Sequence, residues 1–317
     1  MSSGIITVVG SYVVDLMSRT PHMPKPGETV LGGPFRMGPG GKGGNQAVAA
    51  ARQGSRVCMV TKVGNDPFGQ AAVKHFQAEH ISTDYVFVDD AEATGAALIA
   101  VDDNGENMIV VALGACGKLS AEDVAQAEQM IKRSTVVLVQ LETSMEAVRK
   151  TLELAGTYGV PVILNPAPYQ PIPEELLKGV TYITPNETEA FLLTGIEITD
   201  EESAYRAASV LYRRGVKHVV ITLGKKGCYY YEGGPSGILY PGFHVDAVDT
   251  TGAGDAFNGG LAHALAEGRS IRQALRYANA VAALSVTKIG TAPAMPSREE
   301  VERFLQNQPI DTTATGA

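Results

Sequence analysis

The run Asp249-Thr250-Thr251-Gly252-Ala253-Gly254-Asp255 ends where an apolar stretch with helical character, residues 256–266, begins. Its small residues, 252–254, let the backbone come close to a bound group, and the free N–H groups at a helix start point at negative charge. Asp255 would be repelled by a bound anion, but beside a phosphoryl group it would serve as a proton acceptor. The run therefore predicts an anion hole for phosphoryl transfer. The alternative is a glycine-rich turn with a helix-capping aspartate.

Predicted strands and helices alternate along the rest of the chain. Strands are indicated at 5–9, 57–63, 136–141, 160–164, 180–183 and 219–222, and helices at 43–53, 68–80, 120–132, 145–158, 187–193 and 201–214. This alternation is typical of a doubly wound, mostly parallel α/β sheet flanked by helices. Segments near 16–40, with a strand fragment at 28–31, and near 94–112 break the rhythm, and we expect them to form a small β-sheet lid. Residues 1–309 are interpreted as one domain and 310–317 as a frayed tail.

Composition restricts the class of protein. The chain has 317 residues, a net charge of −8 and no basic cluster, which argues against a nucleic-acid partner. No apolar run is long enough to span a bilayer, and no basic segment precedes an apolar stretch at the N-terminus. The three cysteines are far apart and lack metal-ligand spacing. We therefore expect a cytoplasmic protein with no membrane partner.

Polar residues follow the predicted strands at their carboxyl ends. Because the carboxyl ends of parallel strands meet at one edge, where open α/β sheets bind ligands, these residues predict a site. The residues concerned are Asp15, Glu142, Asn165, Asn186, Glu189 and the run 224–227.

A glycine-rich run, Gly38-Pro39-Gly40-Gly41-Lys42-Gly43-Gly44-Asn45-Gln46, lacks the spacing of a Walker loop. A glycine run that enters a small-residue helix can hold a polyhydroxylated ligand closely, with Lys42 and Asn45 as donors. The alternative is a flexible loop.

The run Thr184-Pro185-Asn186-Glu187-Thr188-Glu189 places an amide and a carboxylate three residues apart on one side of a helix start. Oxygen ligands of this kind could hold Mg²⁺ through waters. The alternative is a helix cap with an acidic first turn.

The run Thr222-Leu223-Gly224-Lys225-Lys226-Gly227 follows a predicted strand and could pass under a nucleotide phosphate. The alternative is a type I′ hairpin turn.

Taken together and in this order, the motifs resemble the ribokinase family (PfkB type) of sugar and nucleoside kinases, nearest to its ribokinases and deoxyribokinases. The resemblance covers the chain from Gly10 to about Pro296. It is carried by the runs at 40–47, 165–168, 184–189 and 249–255.

The resemblance implies that Asp255 takes the proton from the primary 5-hydroxyl of a pentose, which attacks ATP. The backbone N–H groups of Gly252, Ala253 and Gly254 would stabilise the transferring phosphoryl group. Matching sugar-contacting positions are Asp15, Gly40, Gly41, Lys42, Asn45 and Glu142, with Val13 beside them. Matching nucleotide positions are Asn186, Thr222, Leu223, Gly224, Lys225, Lys226, Gly227, Gly254 and Asn279, and Glu189 matches the Mg²⁺-organising position.

The resemblance also implies a monovalent cation, usually K⁺, next to the anion hole. Most of its ligands would be main-chain carbonyls, from Asp249, Thr251, Ser285, Lys288, Gly290 and Ala294. The lid would cover the sugar, keep water away from the reaction and pair with a second lid in a homodimer.

One position departs from the family pattern. Ribokinases tend to carry Gly-Ser-x-Asn-x-Asp after the first strand, whereas this chain has Val13 at the place of the asparagine and keeps Asp15. A polar site strongly rejects a sugar that lacks the hydroxyl, whereas an apolar site discriminates only weakly in the other direction, so we expect 2-deoxyribose to be accepted at least comparably to ribose. The alternative is that Val13 only packs the lid.

Two other functions compete with this interpretation. One is another kinase of the family, either fructokinase-like or acting on a nucleoside or a phosphosugar. A phosphosugar would require extra cationic side chains near the lid, and Arg19, Lys25 and Arg36 are available there. A non-catalytic sugar or nucleotide sensor is the other, but a sensor has no need of Asp255.

Overall fold

The computed structural model describes residues 4–308. The strands, in chain order, are β1 (Ile5–Val9), β2 (Val13–Arg19), β3 (Phe35–Gly40), β4 (Arg56–Gly64), β5 (Ser82–Asp89), β6 (Thr94–Val101), β7 (Asn107–Gly114), β8 (Val136–Gln140), β9 (Val162–Asn165), β10 (Tyr182–Ile183), β11 (His218–Thr222), β12 (Gly227–Tyr231) and β13 (Ile238–Pro241). The helices are α1 (Lys42–Arg52), α2 (Pro67–Ala78), α3 (Ala121–Gln126), α4 (Glu128–Arg133), α5 (Met145–Tyr158), α6 (Glu174–Leu177), α7 (Glu187–Thr194), α8 (Glu201–Arg213), α9 (Ala253–Ala266), α10 (Ile271–Ser285) and α11 (Arg298–Gln306).

The main sheet has the strand order β13-β12-β11-β10-β9-β8-β1-β4-β5. All neighbours are parallel except the edge pairs β11–β12 and β12–β13. Every residue of β8 is buried, because helices cover both faces: Val136 and Leu138 face one core and Val137 and Val139 the other. The doubly wound, mostly parallel α/β sheet is confirmed. Within residues 4–308 no helix is long and apolar enough to cross a membrane.

A second sheet with the order β3-β2-β6-β7 forms the smaller, separate layer that the sequence predicts. Leu16, Met37, Leu98 and Val110 lie in one row across its four strands, so their side chains share one face. Three of the four are exposed large hydrophobic residues. Val13 and Asp15 occupy the other face.

Several local predictions were wrong. Residues 28–31 form no strand, and the helix expected at 120–132 is two short helices, α3 and α4, separated at Ala127. Strands β5, β12 and β13 were missed. The edge strands β5 and β13 lack the fully apolar pattern of central strands, and β12, although every residue is buried, is rich in tyrosine and directly follows the turn 224–226. Residues 310–317, expected as a frayed tail, lie outside the described residues.

Candidate active site

A cleft of about 170 Å³ opens at the carboxyl edge of the main sheet. Three helix starts meet there, those of α1, α7 and α9, together with the ends of β9 and β11. The lining residues are Lys42, Asn165, Ala167, Thr184, Asn186, Glu189, Thr222, Thr250, Gly252, Ala253, Gly254, Asp255 and Asn258. The structure thus brings together members of all four sequence motifs.

The start of α9 forms one wall of the cleft. Gly252 precedes the helix with φ 78°, a backbone conformation that favours glycine, and no side chain caps the first turn. The N–H group of Ala253 donates to the Thr250 carbonyl at 3.3 Å, whereas those of Gly252 and Gly254 have no hydrogen-bond partner among residues 4–308 and can meet an anion. Asp255 lies in that first turn and is 5% exposed. The capping-aspartate alternative is therefore wrong, because the capping position belongs to Gly252.

Both oxygens of the Asp255 carboxylate accept amide hydrogen bonds from the start of α1. Asn45 Nδ2 donates to Oδ2 at 3.0 Å, and Gln46 Nε2 donates to Oδ1 at 2.9 Å. The other atom of the first amide, Asn45 Oδ1, is buried and has no hydrogen-bond partner within the described part of the chain. A buried acceptor of this kind calls for a donor such as a ligand hydroxyl.

The sequence interpretation missed Gln46 as a site residue. The sequence pattern could have indicated it. Gln46 is a long polar residue directly before the small apolar run Ala47-Val48-Ala49-Ala50 of a tightly packed helix. Buried polar side chains need partners, so a fully buried glutamine at that place indicates a polar neighbour across the helix interface.

Asp15 approaches the site from the lid. A Cβ atom at Gly40 would lie 2.1 Å from Asp15 Oδ1, so a side chain at that position would displace the Asp15 carboxylate. Burial raises the pKa of Asp15 to about 6; the hydrogen bond from Thr291 opposes this, and the carboxylates of Glu142 and Asp255 add to it. An acceptor with this pKa is ionised at neutral pH and is free to bind a hydroxyl.

Glu142 connects strand β8 to the glycine-rich run. Its Oε2 accepts the backbone N–H of Lys42 at 2.8 Å and the hydroxyl of Ser11, a residue that sequence reasoning also missed. Gly41, with φ 83°, precedes α1 at the capping position. The run is therefore an ordered helix entry and not a flexible loop.

Lys42 is the cation of the cleft. Burial lowers the pKa of its ammonium group, but the carboxylates of Asp255, Glu142 and Glu189 outweigh that effect and raise it above the ordinary value. The ammonium group therefore stays charged and offsets part of the negative charge of the site.

Asn186 and Glu189 form a reciprocal cap at the start of α7. Glu189 N donates to Asn186 Oδ1 at 2.8 Å, and Asn186 N donates to Glu189 Oε2 at 2.9 Å. The capping alternative is thus correct, although both residues also line the cleft. Burial raises the pKa of Glu189, against the lowering effects of the Asn186 hydrogen bond and of Lys42. No three His, Cys, Asp or Glu side chains within residues 4–308 cluster to hold a metal.

The run 222–227 links β11 to β12 through a 3₁₀ turn, Gly224–Lys226, and not through a two-residue type I′ turn. Thr222 N donates to the Pro185 carbonyl at 2.9 Å, which joins this run to the Asn186 motif. Leu223 and Lys226 line a separate cavity of about 270 Å³.

Asn279, another predicted nucleotide residue, does not line the cleft. Its Nδ2 donates to the carbonyls of Tyr240 and Pro241, both at 3.2 Å. The amide therefore holds the end of β13 beside α10.

Asp249 joins the two segments expected to hold a monovalent cation. Its carboxylate accepts the backbone N–H groups of Thr251 at 3.0 Å and Gly290 at 2.9 Å. Burial acts to raise its pKa, but these two bonds prevail and hold it below its usual range. The Lys288 ammonium group pairs with Glu300 at 2.6 Å, and Asp249 has no salt bridge among residues 4–308. An ionised carboxylate without a cationic side chain fits a bound monovalent cation.

The other predicted cation ligands lie in the same two segments. The Ser285 carbonyl accepts the backbone N–H of Lys288 at 3.2 Å, and Ala294 N donates to the Thr291 carbonyl at 3.0 Å. Main-chain carbonyls at these turns are the donor type that a large, weakly hydrated cation requires.

Val13 is buried in a small apolar cluster of the lid, with Ala97 and Cys116. It lies two residues from Asp15 and on the same face of β2. Its packing supports the alternative in which Val13 fills the lid.

Comparisons with known proteins agree with this geometry. The family model for pfkB family carbohydrate kinases matches residues 5–298. The chain is 45% identical to a ribokinase of Haemophilus influenzae, over 95% of this chain and 98% of that protein. It is 38% identical to a deoxyribokinase of Salmonella typhi, over 95% and 98%. A structure of Arabidopsis thaliana ribokinase complexed with ribose and ATP is similar with a TM-score of 0.90 and 32% identity, covering 97% of this chain and 100% of that one.

Proposed function

The chain belongs to the pfkB family of carbohydrate kinases and is an ATP-dependent sugar kinase, and we propose that its acceptor is the primary 5-hydroxyl of a pentose, ribose or 2-deoxyribose. The observation that carries the proposal is the uncapped start of α9, which places free N–H groups and the Asp255 carboxylate side by side. The names of the similar proteins, ribokinase and deoxyribokinase, support a pentose.

In the proposed reaction, the sugar hydroxyl gives its proton to Asp255 while its oxygen attacks the γ-phosphorus of ATP in line. A new P–O bond forms, the bond to the ADP oxygen breaks, and the proton leaves Asp255 for solvent after product release. The backbone N–H groups of 252–254 receive the charge on the transferring group, and the Lys42 ammonium adds a positive charge nearby.

The proposed sugar contacts are Asp15, Gly40, Gly41, Lys42, Asn45 and Glu142, with Val13 beside them. Their support comes from the unpartnered Asn45 Oδ1 and from the acids of the site, since carboxylates accept hydrogen bonds from hydroxyl groups. The proposed nucleotide contacts are Asn186, Gly254, Asn279 and the run 222–227.

We propose that the enzyme binds two metal ions, Mg²⁺ and K⁺. Bound Mg²⁺ would neutralise charge on the ATP phosphates, and Glu189 is the residue that would organise it through water. Bound K⁺ would order the 252–254 loop by its charge, held by Asp249 and by the carbonyls of Thr251, Ser285, Lys288, Gly290 and Ala294.

The lid supports a homodimer. Within residues 4–308, Met37, Leu98 and Val110 form an exposed apolar row on the small sheet. A second lid would bury this face, and sedimentation velocity measures whether a dimer forms. A cytoplasmic location fits the three cysteines, all of which are free and buried.

Identification of the product tests the proposed reaction. Ribose and ATP should give ribose 5-phosphate, assigned by phosphorus–carbon couplings in NMR, and 5-deoxyribose should bind as an inhibitor without turnover. Turnover of 5-deoxyribose, or a kcat/KM for a hexose, nucleoside or phosphosugar about 100-fold above that for ribose, would contradict the proposal.

A further inference from the structure

Hydrogen bonds between buried amides connect Asp255 to strands β8 and β9 through one residue, Gln46. Gln46 Nε2 donates to Asp255 Oδ1 at 2.9 Å and to Asn165 Oδ1 at 3.0 Å. Gln140 Nε2 donates to Gln46 Oε1 at 2.7 Å. Gln46 and Gln140 are fully buried, and Asn165 is 6% exposed. Gln46 and Gln140 therefore lie behind the cleft and are shielded from solvent, whereas Asn165 and Asp255 line it.

The orientation of each amide in this network is fixed by its neighbours. An ionised carboxylate only accepts hydrogen bonds, so Gln46 must present its NH₂ group to Asp255. Asn165 Nδ2 donates to the Thr184 carbonyl at 3.1 Å, which leaves Asn165 Oδ1 facing Gln46. Gln46 Oε1 then accepts from Gln140. No member can flip without bringing two acceptors or two donors together.

Gln140 orients Gln46 while one of its own polar atoms stays unpaired. Its Oε1 is buried and has no hydrogen-bond partner among residues 4–308. An unpaired buried acceptor destabilises a fold, whereas an apolar residue of the same shape would not. The one hydrogen bond that Gln140 makes in the network is therefore the bond that orients Gln46.

The two amides on Asp255 differ in what they can still bind. Asn45 has an unused acceptor, Oδ1, and is a proposed sugar contact. Gln46 is fully buried, donates both of its N–H groups within the network and accepts one bond at its oxygen. These contacts place Gln46 to act on the reaction through Asp255 and not by touching the sugar.

We propose that Gln46, oriented by Gln140 and Asn165, is a positioning residue that fixes the plane of the Asp255 carboxylate and so directs its remaining lone pairs at the sugar hydroxyl. This inference rests on the proposed function, in which Asp255 is the base. A carboxylate held by a rigid donor enters the reaction already aligned, and misplacement of a reacting group by about 1 Å can cost about 100-fold in rate.

A double-mutant cycle tests the proposal with Gln46→Met in the wild-type and Asp255→Asn backgrounds. In the wild-type background kcat should fall about 100-fold, while the KM for ATP changes less than about threefold. In the Asp255→Asn background the same substitution should change kcat less than about threefold, because a group that acts through the base has no effect once the base is absent.

Thr7→Val is the matched control. Thr7 is fully buried on β1, and its hydroxyl is 2.7 Å from that of Ser134, at the amino edge of the sheet. The substitution removes a buried hydrogen bond without touching the network, so kcat should stay within about twofold in both backgrounds. A purely structural effect of Gln46→Met would instead lower kcat by the same factor in both backgrounds.

The outcomes separate the two claims. If Asp255→Asn alone retains wild-type kcat, the proposed function fails. If Asp255→Asn is impaired but Gln46→Met keeps wild-type kcat, or lowers it equally in both backgrounds, the positioning role is overturned. If Gln46→Met does not fold, Gln140→Met breaks the network one bond further away; it should lower kcat about tenfold in the wild type only, and an equal loss in both backgrounds overturns the role.

Discussion

The start of α9 and the lid strand β2 hold the two acids proposed to meet the sugar, and they are built differently. At α9 the Asp255 carboxylate is held by two buried amides, Asn45 and Gln46. At β2, Asp15 has one hydroxyl partner, Thr291 at 3.2 Å, and its neighbour Val13 packs in an apolar cluster. The contrast indicates that the reacting end tolerates little change, whereas the end that selects the sugar can vary.

Among changes to the backbone, Gly252→Ala should impair the reacting end most. Alanine at φ 78° strains the turn, and its Cβ would lie 3.4 Å from Thr291 Cα. We expect kcat to fall about 100-fold with sugar KM within about threefold, because the N–H groups of the anion hole are displaced. Steady-state kinetics measure this.

Gly268→Ala is the control for backbone strain. Gly268 follows the other end of α9 with φ 76°, and a Cβ atom there meets nothing within 4 Å. It should lower the melting temperature without lowering kcat. An equal loss of kcat in Gly252→Ala and Gly268→Ala would contradict a specific role of the 252–254 turn in the reaction.

At the lid end, Asp15→Asn should change both the free energy of unfolding and the KM for the sugar. The folded-state pKa of about 6 lies above the ordinary value, so ionised Asp15 destabilises the fold above pH 6, and the penalty is relieved as pH falls through 6. Asp15→Asn should therefore raise the free energy of unfolding by about 2 kcal/mol at pH 8, and by less at pH 5.

The same substitution removes a charged acceptor, so the KM for ribose should rise about 30-fold with a smaller change in kcat. Denaturant melts at the two pH values and sugar titrations test both effects. A lower free energy of unfolding for Asp15→Asn at pH 8, or an unchanged KM for ribose, would contradict this role of Asp15.

The smallest effect is expected for the choice of sugar at Val13. Wild-type kcat/KM for 2-deoxyribose should be at least comparable to that for ribose, and Val13→Asn should shift the ratio toward ribose by about tenfold. Val13→Ala, which changes packing but not polarity, should leave the ratio unchanged. If both variants alter the two sugars equally, Val13 only packs the lid; a wild-type preference for ribose above about 100-fold would also refute the prediction.

The turn at 252–254 before α9 was predictable from sequence because its signal is local: glycine, small residues and an acid before a helix. The strand-end acids were predictable because parallel strands end at one edge. The partners of Asp255 were not, since Gln46 lies 209 positions away in the chain and only packing of α1 against α9 brings them together. The placement of Val13 within the lid cluster depends likewise on β6 and on the turn at Cys116.

Asp255 is the proposed base of phosphoryl transfer, and the substitution Asp255→Asn tests that role. Calorimetric titration with ATP and turnover with ribose should be measured on the same preparation. The account predicts unchanged ATP affinity within about threefold and a kcat lowered by about 1,000-fold, the scale of a lost general base. Wild-type turnover by Asp255→Asn would contradict it.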